Sequence, residues 1–131
     1  MNTGGSARNP VIRLQRAYDE PGEGDGYRVL VDRYWPRGRS KEALQLDEWA
    51  RDLAPEPELI RWFGHKEERW DEFRRRYREH LQAPQQVAHL SALRKAAGQG
   101  VVTLIYGARS AEMNQAVVLC EVLREMANSG K

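Results

Sequence analysis

The sequence predicts an α/β domain with a small, mainly parallel sheet of about three strands, flanked by helices in a Rossmann-like layering. Two observations lead to this prediction. Short β-branched and apolar runs alternate with stretches of helical periodicity, and the most apolar run, Val101–Tyr106, is followed by a glycine and another helical segment. The chain has 131 residues, enough for one domain, which we place at residues 10–128.

The elements before residue 40 are two strands and a loop. Residues 1–9 are rich in glycine and serine and are expected to be a disordered tail. Alternating apolar and polar side chains predict a strand at 11–17, and a more continuous apolar run predicts a buried strand at 27–32. Proline, glycine and acids make 19–26 a loop. This connection is short for a parallel crossover, so the relative direction of the two strands stays open.

Residues 40–98 have helical periodicity. The spacing of apolar residues predicts a helix that ends before Pro55 and includes Leu44, Leu46, Trp49 and Leu53. Further helices are expected at Pro57–Phe63, 67–81 and from about 84 to 98. The strand Val101–Tyr106 comes next, and a last helix is expected from about Ser110 to 127, with Ser110 as its N-cap.

Composition excludes several classes of protein. A formal net charge of +2 does not by itself indicate nucleic acid binding. No apolar stretch approaches the roughly 20 residues that cross a membrane, and the N-terminus lacks the apolar segment of a secretory signal. A single cysteine, Cys120, fits a reducing cytoplasm, and its apolar neighbours at helical spacing indicate a buried structural thiol.

Arginine greatly outnumbers lysine, with 17 arginines and 4 lysines. Arginine suits bidentate recognition of phosphate or carboxylate, but a GC-rich coding bias is the better explanation of the total. We therefore give functional weight only to arginines at special positions, above all at the carboxyl ends of the strands, where open parallel sheets bind their ligands.

The segment DRYWPRG, residues 32–38, is the first candidate for such a site. Arg33 and Arg37 flank Trp35 and a stiffening Pro36, an arrangement able to clamp an anion. A structural turn in which Trp35 covers the core edge is the alternative. Asp32 is a candidate catalytic base, and an ion pair with a neighbouring arginine, or a cap for the next turn, is an equally good interpretation.

The loop after the last strand is the second half of the candidate site. Tyr106, Arg109 and Asn114 lie where a strand leads into a helix N-terminus, whose free N–H groups and dipole favour an anion. The glycine-rich dinucleotide motif and the Walker lysine are both lacking, so the pattern identifies no cofactor.

The histidines and the basic run have simpler alternatives. His65, at a helix end, is a second catalytic candidate, although a lone histidine is more often structural; His80 and His89 are predicted to be surface residues without partners. The sequence contains no cluster of histidines and cysteines that would predict a metal site. The run Arg74–Arg78 could contact nucleic acid, but glutamates such as Glu72 on the same helix favour a salt-bridged, solvated face.

Five blocks of sequence resemble the YeaO-like proteins, a branch of the family named domain of unknown function 488. They are YRVLVDRYWPRG (27–38), DEWARDLAP (47–55), LIRWFGH (59–65), RWDEFRRRY (69–77) and TLIYGAR (103–109) with Asn114. The resemblance extends from about Val11 to Leu123. It implies a compact α/β domain with Asp32, Arg33, Pro36 and Arg37 in the family's strand-end motif, and it implies no reaction.

Three functions follow as hypotheses. The first is a cytoplasmic protein, with or without catalysis, that binds a phosphate- or carboxylate-bearing small molecule at the Arg33, Arg37 and Arg109 edge. The second is a nucleic-acid-binding module that uses Arg74–Arg78. The third is a non-enzymatic interaction domain whose tryptophan-rich helices bind a partner. The sequence predicts no membrane partner and leaves the oligomeric state and any cofactor unknown.

Overall fold

The computed structural model describes residues 10–129, with side chains described through residue 126. Its strands are β1 (Val11–Arg16), β2 (Tyr27–Leu30), β3 (Glu48–Trp49) and β4 (Val101–Tyr106), and its helices are α1 (Lys41–Leu44), α2 (Pro57–Phe63), α3 (Trp70–His80), α4 (Pro84–Ala97) and α5 (Gln115–Ser129). The strands form one parallel sheet in the order β1-β4-β2-β3. The predicted α/β class is confirmed, and the direction left open between the first two strands is parallel. The predicted tail, residues 1–9, lies outside the described residues.

Strand β4 is central in the sheet, which explains its unbroken apolar sequence. It pairs with β1 on one side, where Ile12 is opposite Val102, and with β2 on the other, where Val29 is opposite Leu104. A strand with neighbours at both edges and layers on both faces has no side that faces water. Five of its six residues are buried as a result.

The two faces of the sheet have different coverings. One face packs Val102, Leu104 and Tyr106 against the long helices, and the buried helix residues Phe73, Tyr77, Leu90, Leu93 and Leu119 belong to the same core. The opposite face is covered by a smaller cluster, made of Ala17, Leu30, Leu44 and Ile105 with Trp35, Leu46 and Trp49 partly buried around it. The thiol of Cys120 lies in the larger core, as predicted.

The predicted helix through Leu44, Leu46, Trp49 and Leu53 is wrong. Helix α1 ends at Leu44 because Gln45 adopts a left-handed conformation, with φ of 49°. The chain then extends into β3, which pairs with β2, and returns to a single 3₁₀ turn at Arg51–Leu53. The Asp47 carboxylate accepts a hydrogen bond of 2.8 Å from the backbone N–H of Arg28, and this bond fixes the edge strand. Pairing with a distant strand therefore overrides local helical spacing.

The last helix begins later than predicted. Helix α5 starts at Gln115, and the side-chain oxygen of Asn114 accepts a hydrogen bond of 3.1 Å from the Val117 N–H. Asn114 is thus the N-cap, while the Ser110 hydroxyl accepts from the Met113 N–H at 3.0 Å and caps only the preceding turn. The remaining boundaries are close to prediction, apart from a 3₁₀ turn at Glu67–Arg69 ahead of α3. Among the described residues, no helix has the length and apolar character needed to cross a membrane.

Candidate functional site

A cleft of about 280 Å³ opens where β2 and β4 end. Its lining comes from four segments that are distant in sequence. These residues are Tyr18, Asp32, Arg33, Tyr34, Trp35, Pro36, Pro55, Ile60, His65, Gly107, Ala108 and Gln115. The DRYWPRG segment and the loop after β4 thus meet at one edge, as the parallel arrangement of their strands requires.

Asp32 lies where these two loops meet. Its Oδ2 accepts a hydrogen bond of 2.9 Å from the Gly107 N–H, and its Oδ1 accepts one from the Gln115 side-chain amide. Burial raises the pKa of Asp32 to about 6, although both hydrogen bonds favour the ionised form and oppose this rise. The expected alternative, an ion pair with Arg33 or Arg37, is not present among the described residues.

The glycine at position 107 suits this contact. A Cβ atom there would stand 2.9 Å from Asp32 Oδ2, closer than side-chain atoms normally come. Glycine lets the backbone of the β4 loop donate to the carboxylate without displacing it. The strand end and the loop therefore hold the carboxylate in one position.

Arg33 shapes one wall of the cleft. Its Nε donates to the Pro55 carbonyl at 2.9 Å and its Nη2 donates to the Ala54 carbonyl at 3.1 Å. These bonds hold the segment before α2 against the end of β2. Arg33 keeps further N–H groups that have no acceptor among the described residues, because a guanidinium carries five donors.

Aromatic side chains form much of the cleft mouth. The Tyr18 hydroxyl donates to the Arg37 carbonyl at 3.0 Å, which joins the loop after β1 to the DRYWPRG loop. The Trp35 indole donates to the Arg39 carbonyl at 2.6 Å and meets Trp49 edge to face at 5.3 Å. Tyr34 is the most exposed large hydrophobic residue among the described residues, at 62%. These rings provide stacking surface beside Asp32.

His65, the other catalytic candidate, also lines the cleft. It is exposed and follows the Gly64 cap of α2, and it has a positive φ of 60°. Left-handed backbone is uncommon for a residue with a side chain, though histidine tolerates it better than most. The two candidates Asp32 and His65 thus share a cleft, although no hydrogen bond joins them.

Arg37 and Arg109 do not line the cleft, but each directly follows a lining residue, Pro36 or Ala108, and we call these two positions the rim. Both are exposed, each is next to a cleft-forming loop, and neither has an ion-pair or hydrogen-bond partner for its guanidinium within residues 10–129. Arg33 lines the cleft and is held by the Ala54 and Pro55 carbonyls, whereas Arg37 and Arg109 are not among the lining residues.

Tyr106 and Asn114 are in the interior. Tyr106 is 4% exposed and Asn114 is 2% exposed, and neither lines the cleft. Asn114 caps α5 and donates to the Ser110 carbonyl at 2.7 Å, while burial raises the pKa of Tyr106. Both residues support the loop after β4 and present no polar group to the cleft.

The cleft residues that sequence analysis missed are Gln115, Pro55 and Ile60, whereas Gly107 and Ala108 belong to the loop that was predicted as half of the site. Gln115 directly follows the candidate Asn114, but no local signal distinguishes it from other polar residues at the start of a helix. Pro55 lies in a different sequence block. Only the return of α2 to the strand ends brings Pro55 and Ile60 near Asp32.

A separate groove of about 560 Å³ lies beside β3 and is lined by Trp35, Lys41, Leu46, Asp47, Glu48 and Trp49. It is larger than the strand-end cleft, but its carboxylates already have hydrogen-bond partners. The Asp47 carboxylate is bound by the Arg28 N–H, and Glu48 accepts from the Tyr27 hydroxyl at 2.8 Å. Its acidic groups therefore serve the fold.

His89 does not have the surface role that was predicted. Its Nδ1 lies 2.8 Å from Asp52 Oδ2, and its Nε2 forms a hydrogen bond with Glu48. His80 also differs from prediction, because its ring stacks on Tyr77 and its Nδ1 lies 3.7 Å from Glu56. In the described part of the chain, no three histidine, cysteine, aspartate or glutamate side chains are grouped as a metal site.

The arginines of Arg74–Arg78 form ion pairs with glutamates. Arg76 pairs with Glu72 at 2.8 Å, as the helical spacing predicted, and Arg75 lies between Glu72 and Glu79. Arg74 and Arg78 reach Glu121 of α5. This is the salt-bridged face favoured by the sequence analysis.

Comparison with known proteins gives one family. The family model described as the inactive DUF488-N3 subclade matches residues 11–131. The chain is 40% identical over 116 residues to the uncharacterized protein Rv3073c of Mycobacterium tuberculosis, covering 88% of this chain and 96% of that protein. It is 38% identical over 116 residues to the uncharacterized protein YeaO of Escherichia coli, covering 88% and 98%. No solved structure matches the chain.

Proposed function

This chain belongs to the DUF488 family, and from that premise we propose that it binds a small phosphate- or carboxylate-bearing molecule in the strand-end cleft without transforming it. The subclade is described as inactive, which favours binding over catalysis. Asp32 and His65 are then ligand-contacting residues of the cleft rather than an acid and a base.

The observation that supports anion binding is the contrast in ion pairing between the arginines of α3 and those around the strand ends. Arg74, Arg75, Arg76 and Arg78 on α3 are all paired with glutamates. The arginines around the strand ends have no carboxylate partner within residues 10–129; they are Arg16, Arg33, Arg37, Arg39 and Arg109. Arg16 and Arg39 instead donate to the Ala108 and Ala17 carbonyls. Unneutralised cations around a concave site attract an anionic ligand.

The size of the cleft favours a small ligand. Its volume of about 280 Å³ is at the lower limit for ligand sites. Its walls combine aromatic rings with a few fixed polar groups, which is the usual composition of such sites. A small metabolite fits this volume better than a dinucleotide does.

The test measures binding of inorganic phosphate and 3-phenylpropionate to the full chain by NMR titration and thermal shift. Arg37→Ala and Arg109→Ala are each expected to weaken binding several-fold, about 1 kcal/mol, because each removes a charge-assisted contact. Arg75→Ala is the matched control, since it removes an equally exposed arginine that is already paired. Binding of neither anion, or equal binding by all four proteins, would contradict the proposal.

The two other hypotheses stay predictions. The ion pairs of the α3 arginines leave little free positive charge for nucleic acid on that face. The four tryptophans are half-buried, and the exposed large apolar residues Val11, Leu14, Tyr18, Tyr34 and Val87 are spread over several elements. Neither observation favours nucleic acid or a protein partner over a small anion.

A further inference from the structure

The strand-end cleft contains charges of both signs. Its one carboxylate, Asp32, lies inside, between the end of β2 and Gly107. Arg37 and Arg109 directly follow the lining residues Pro36 and Ala108; both are exposed, and their guanidinium groups have no ion-pair partner among the described residues. Arg33 lines the cleft too, but its bonds to the Ala54 and Pro55 carbonyls direct it away from an ion pair with Asp32. A purely anionic ligand would pair with the arginines but would leave Asp32 without a cationic partner.

Asp32 is held as a hydrogen-bond acceptor with unused capacity. An ionised carboxylate offers about four lone-pair positions, and the Gly107 N–H and the Gln115 amide occupy two of them. Each oxygen has one of these donors, so each retains an open position. The two donors fix the orientation of the carboxylate before any ligand arrives, which lowers the entropic cost of binding.

A protonated amine is the group that best fits this position. It is a cation with several N–H donors, so it can pair with the carboxylate in a charge-assisted hydrogen bond. The exposed ring of Tyr34 in the same lining can attract a cation, whereas the Tyr18 ring already has the Arg16 guanidinium 5.1 Å from its centroid. A hydroxyl group would gain a hydrogen bond but neither of the charge interactions.

We propose that the ligand of this cleft is a small amphoteric molecule, which presents a protonated amine to Asp32 and a carboxylate or phosphate to the arginines of the rim. This inference rests on the proposed anion binding and goes beyond it, because it names the second recognised group. Asp32 is then the residue that selects amine-bearing anions over plain anions.

The experiment compares matched compounds at neutral pH, followed through the backbone amide signal of Gly107 and the side-chain amide signal of Gln115. Phenylalanine carries both groups, 3-phenylpropionate only the carboxylate, and 2-phenylethylamine only the amine. O-phosphoethanolamine, ethyl phosphate and ethanolamine form the corresponding phosphate set. In at least one set we expect the amphoteric compound to bind about tenfold more tightly than either single-charge analogue, the size expected for one charge-assisted hydrogen bond.

Asp32→Asn keeps the side-chain shape and removes the charge. In this variant the amphoteric compound is expected to bind only as tightly as the plain anion, while the affinity for the plain anion is not reduced. Asp19→Asn is the control, because it removes an exposed carboxylate from a neighbouring loop that does not line the cleft. It should preserve the preference.

The outcomes separate this inference from the proposed function. If plain anions bind but neither set shows a preference for the amine, the amphoteric ligand is excluded and anion binding stands. If the preference persists in Asp32→Asn, the assignment to Asp32 is wrong. If no anion binds, or the amine alone accounts for all of the affinity, both proposals fail. The comparison of compounds on the unaltered protein does not depend on the folding of any variant.

Discussion

Asp32 is a partly buried carboxyl group that receives two hydrogen bonds and has no ion-pair partner among the described residues. Its pKa of about 6 lies above the value near 4 that is usual for an unfolded chain, because burial penalises the charge more than the two donors favour it. Folding therefore works against the ionised state at neutral pH. Residues that bind or react commonly carry such a penalty.

The first prediction concerns the pH dependence of this penalty. Between about pH 4 and pH 6 the unfolded chain has released the proton of Asp32 while the folded chain retains it, so the free energy of unfolding falls as pH rises. At pH 7 we expect Asp32→Asn to be more stable than the original protein, by at most about 3 kcal/mol, the equivalent of two pKa units.

Urea denaturation of both proteins at several pH values checks this expectation. The stability advantage of the variant should be absent near pH 4 and should grow until about pH 6. A variant that is less stable at neutral pH, or a difference independent of pH, would show that the carboxylate is stabilised by its surroundings.

At the scale of elements, the shortest strand depends on a histidine in a distant helix. His89 of α4 bridges Glu48 of β3 and Asp52 of the following 3₁₀ turn. Glu48 also accepts a hydrogen bond from the Tyr27 hydroxyl, and this bond helps to raise the pKa of Tyr27 to about 12. A two-residue edge strand has few ladder bonds of its own. These side-chain contacts therefore hold β3, and the groove beside it, against the sheet.

The second prediction follows from the charge on His89. Burial by itself lowers the pKa of His89, but hydrogen bonds and charges from Asp52 and Glu48 together outweigh burial and raise it above 6.5. The stabilisation by this bridge is complete below pH 6.5 and is lost as pH rises through the raised value. His89→Gln should cost roughly 1–2 kcal/mol near pH 6, as expected for hydrogen bonds to charged groups, and less at higher pH.

Chemical denaturation at pH 6 and at pH 9 measures this difference. His65→Asn is the matched control, since His65 is exposed without a carboxylate partner in the described structure, and asparagine tolerates its left-handed backbone. An equal loss of stability for His89→Gln at both pH values would contradict a role for the charged bridge.

At the scale of the whole molecule, the net charge does not show where the unpaired charged groups lie. The formal net charge is only +2. On the outer face of α3 positive and negative groups lie within 2.6–3.1 Å of each other and largely cancel. Around the strand ends the arginines lack such partners. The arginines of α3 are therefore largely neutralised, whereas those around the strand ends keep uncompensated positive charge near the cleft.

The third prediction is a salt dependence specific to that edge. Raising the ionic strength from about 0.01 M to 0.1 M shortens the screening length from about 30 Å to 10 Å, so binding of inorganic phosphate should weaken several-fold. Arg37→Ala and Arg109→Ala should each reduce this dependence, whereas Arg75→Ala should leave it unchanged. Phosphate affinities measured by NMR titration at both ionic strengths provide the comparison, and an identical salt response in all four proteins would refute a local field.

Much of the fold and part of the site can be predicted from local sequence. The apolar run Val101–Tyr106 identifies a buried strand, because a strand covered on both faces has no polar positions. Pro57 and Gly64 mark the ends of α2, because each restricts or permits a particular backbone conformation. The placement of Asp32 and Arg33 at a strand end follows from the same reasoning.

Only the tertiary structure decided what these residues do. Whether Leu46 and Trp49 lie in a helix or beside an edge strand depends on pairing with β2, and no local pattern contains that partner. The carbonyls of Ala54 and Pro55 hold Arg33, the chain buries Asn114 as a helix cap, and Arg37 and Arg109 are exposed. The sequence by itself determined the elements and the edge where chemistry belongs, because both follow from local periodicity and strand direction. The partners of each polar side chain were decided by long-range packing, which brings together groups that are far apart along the chain.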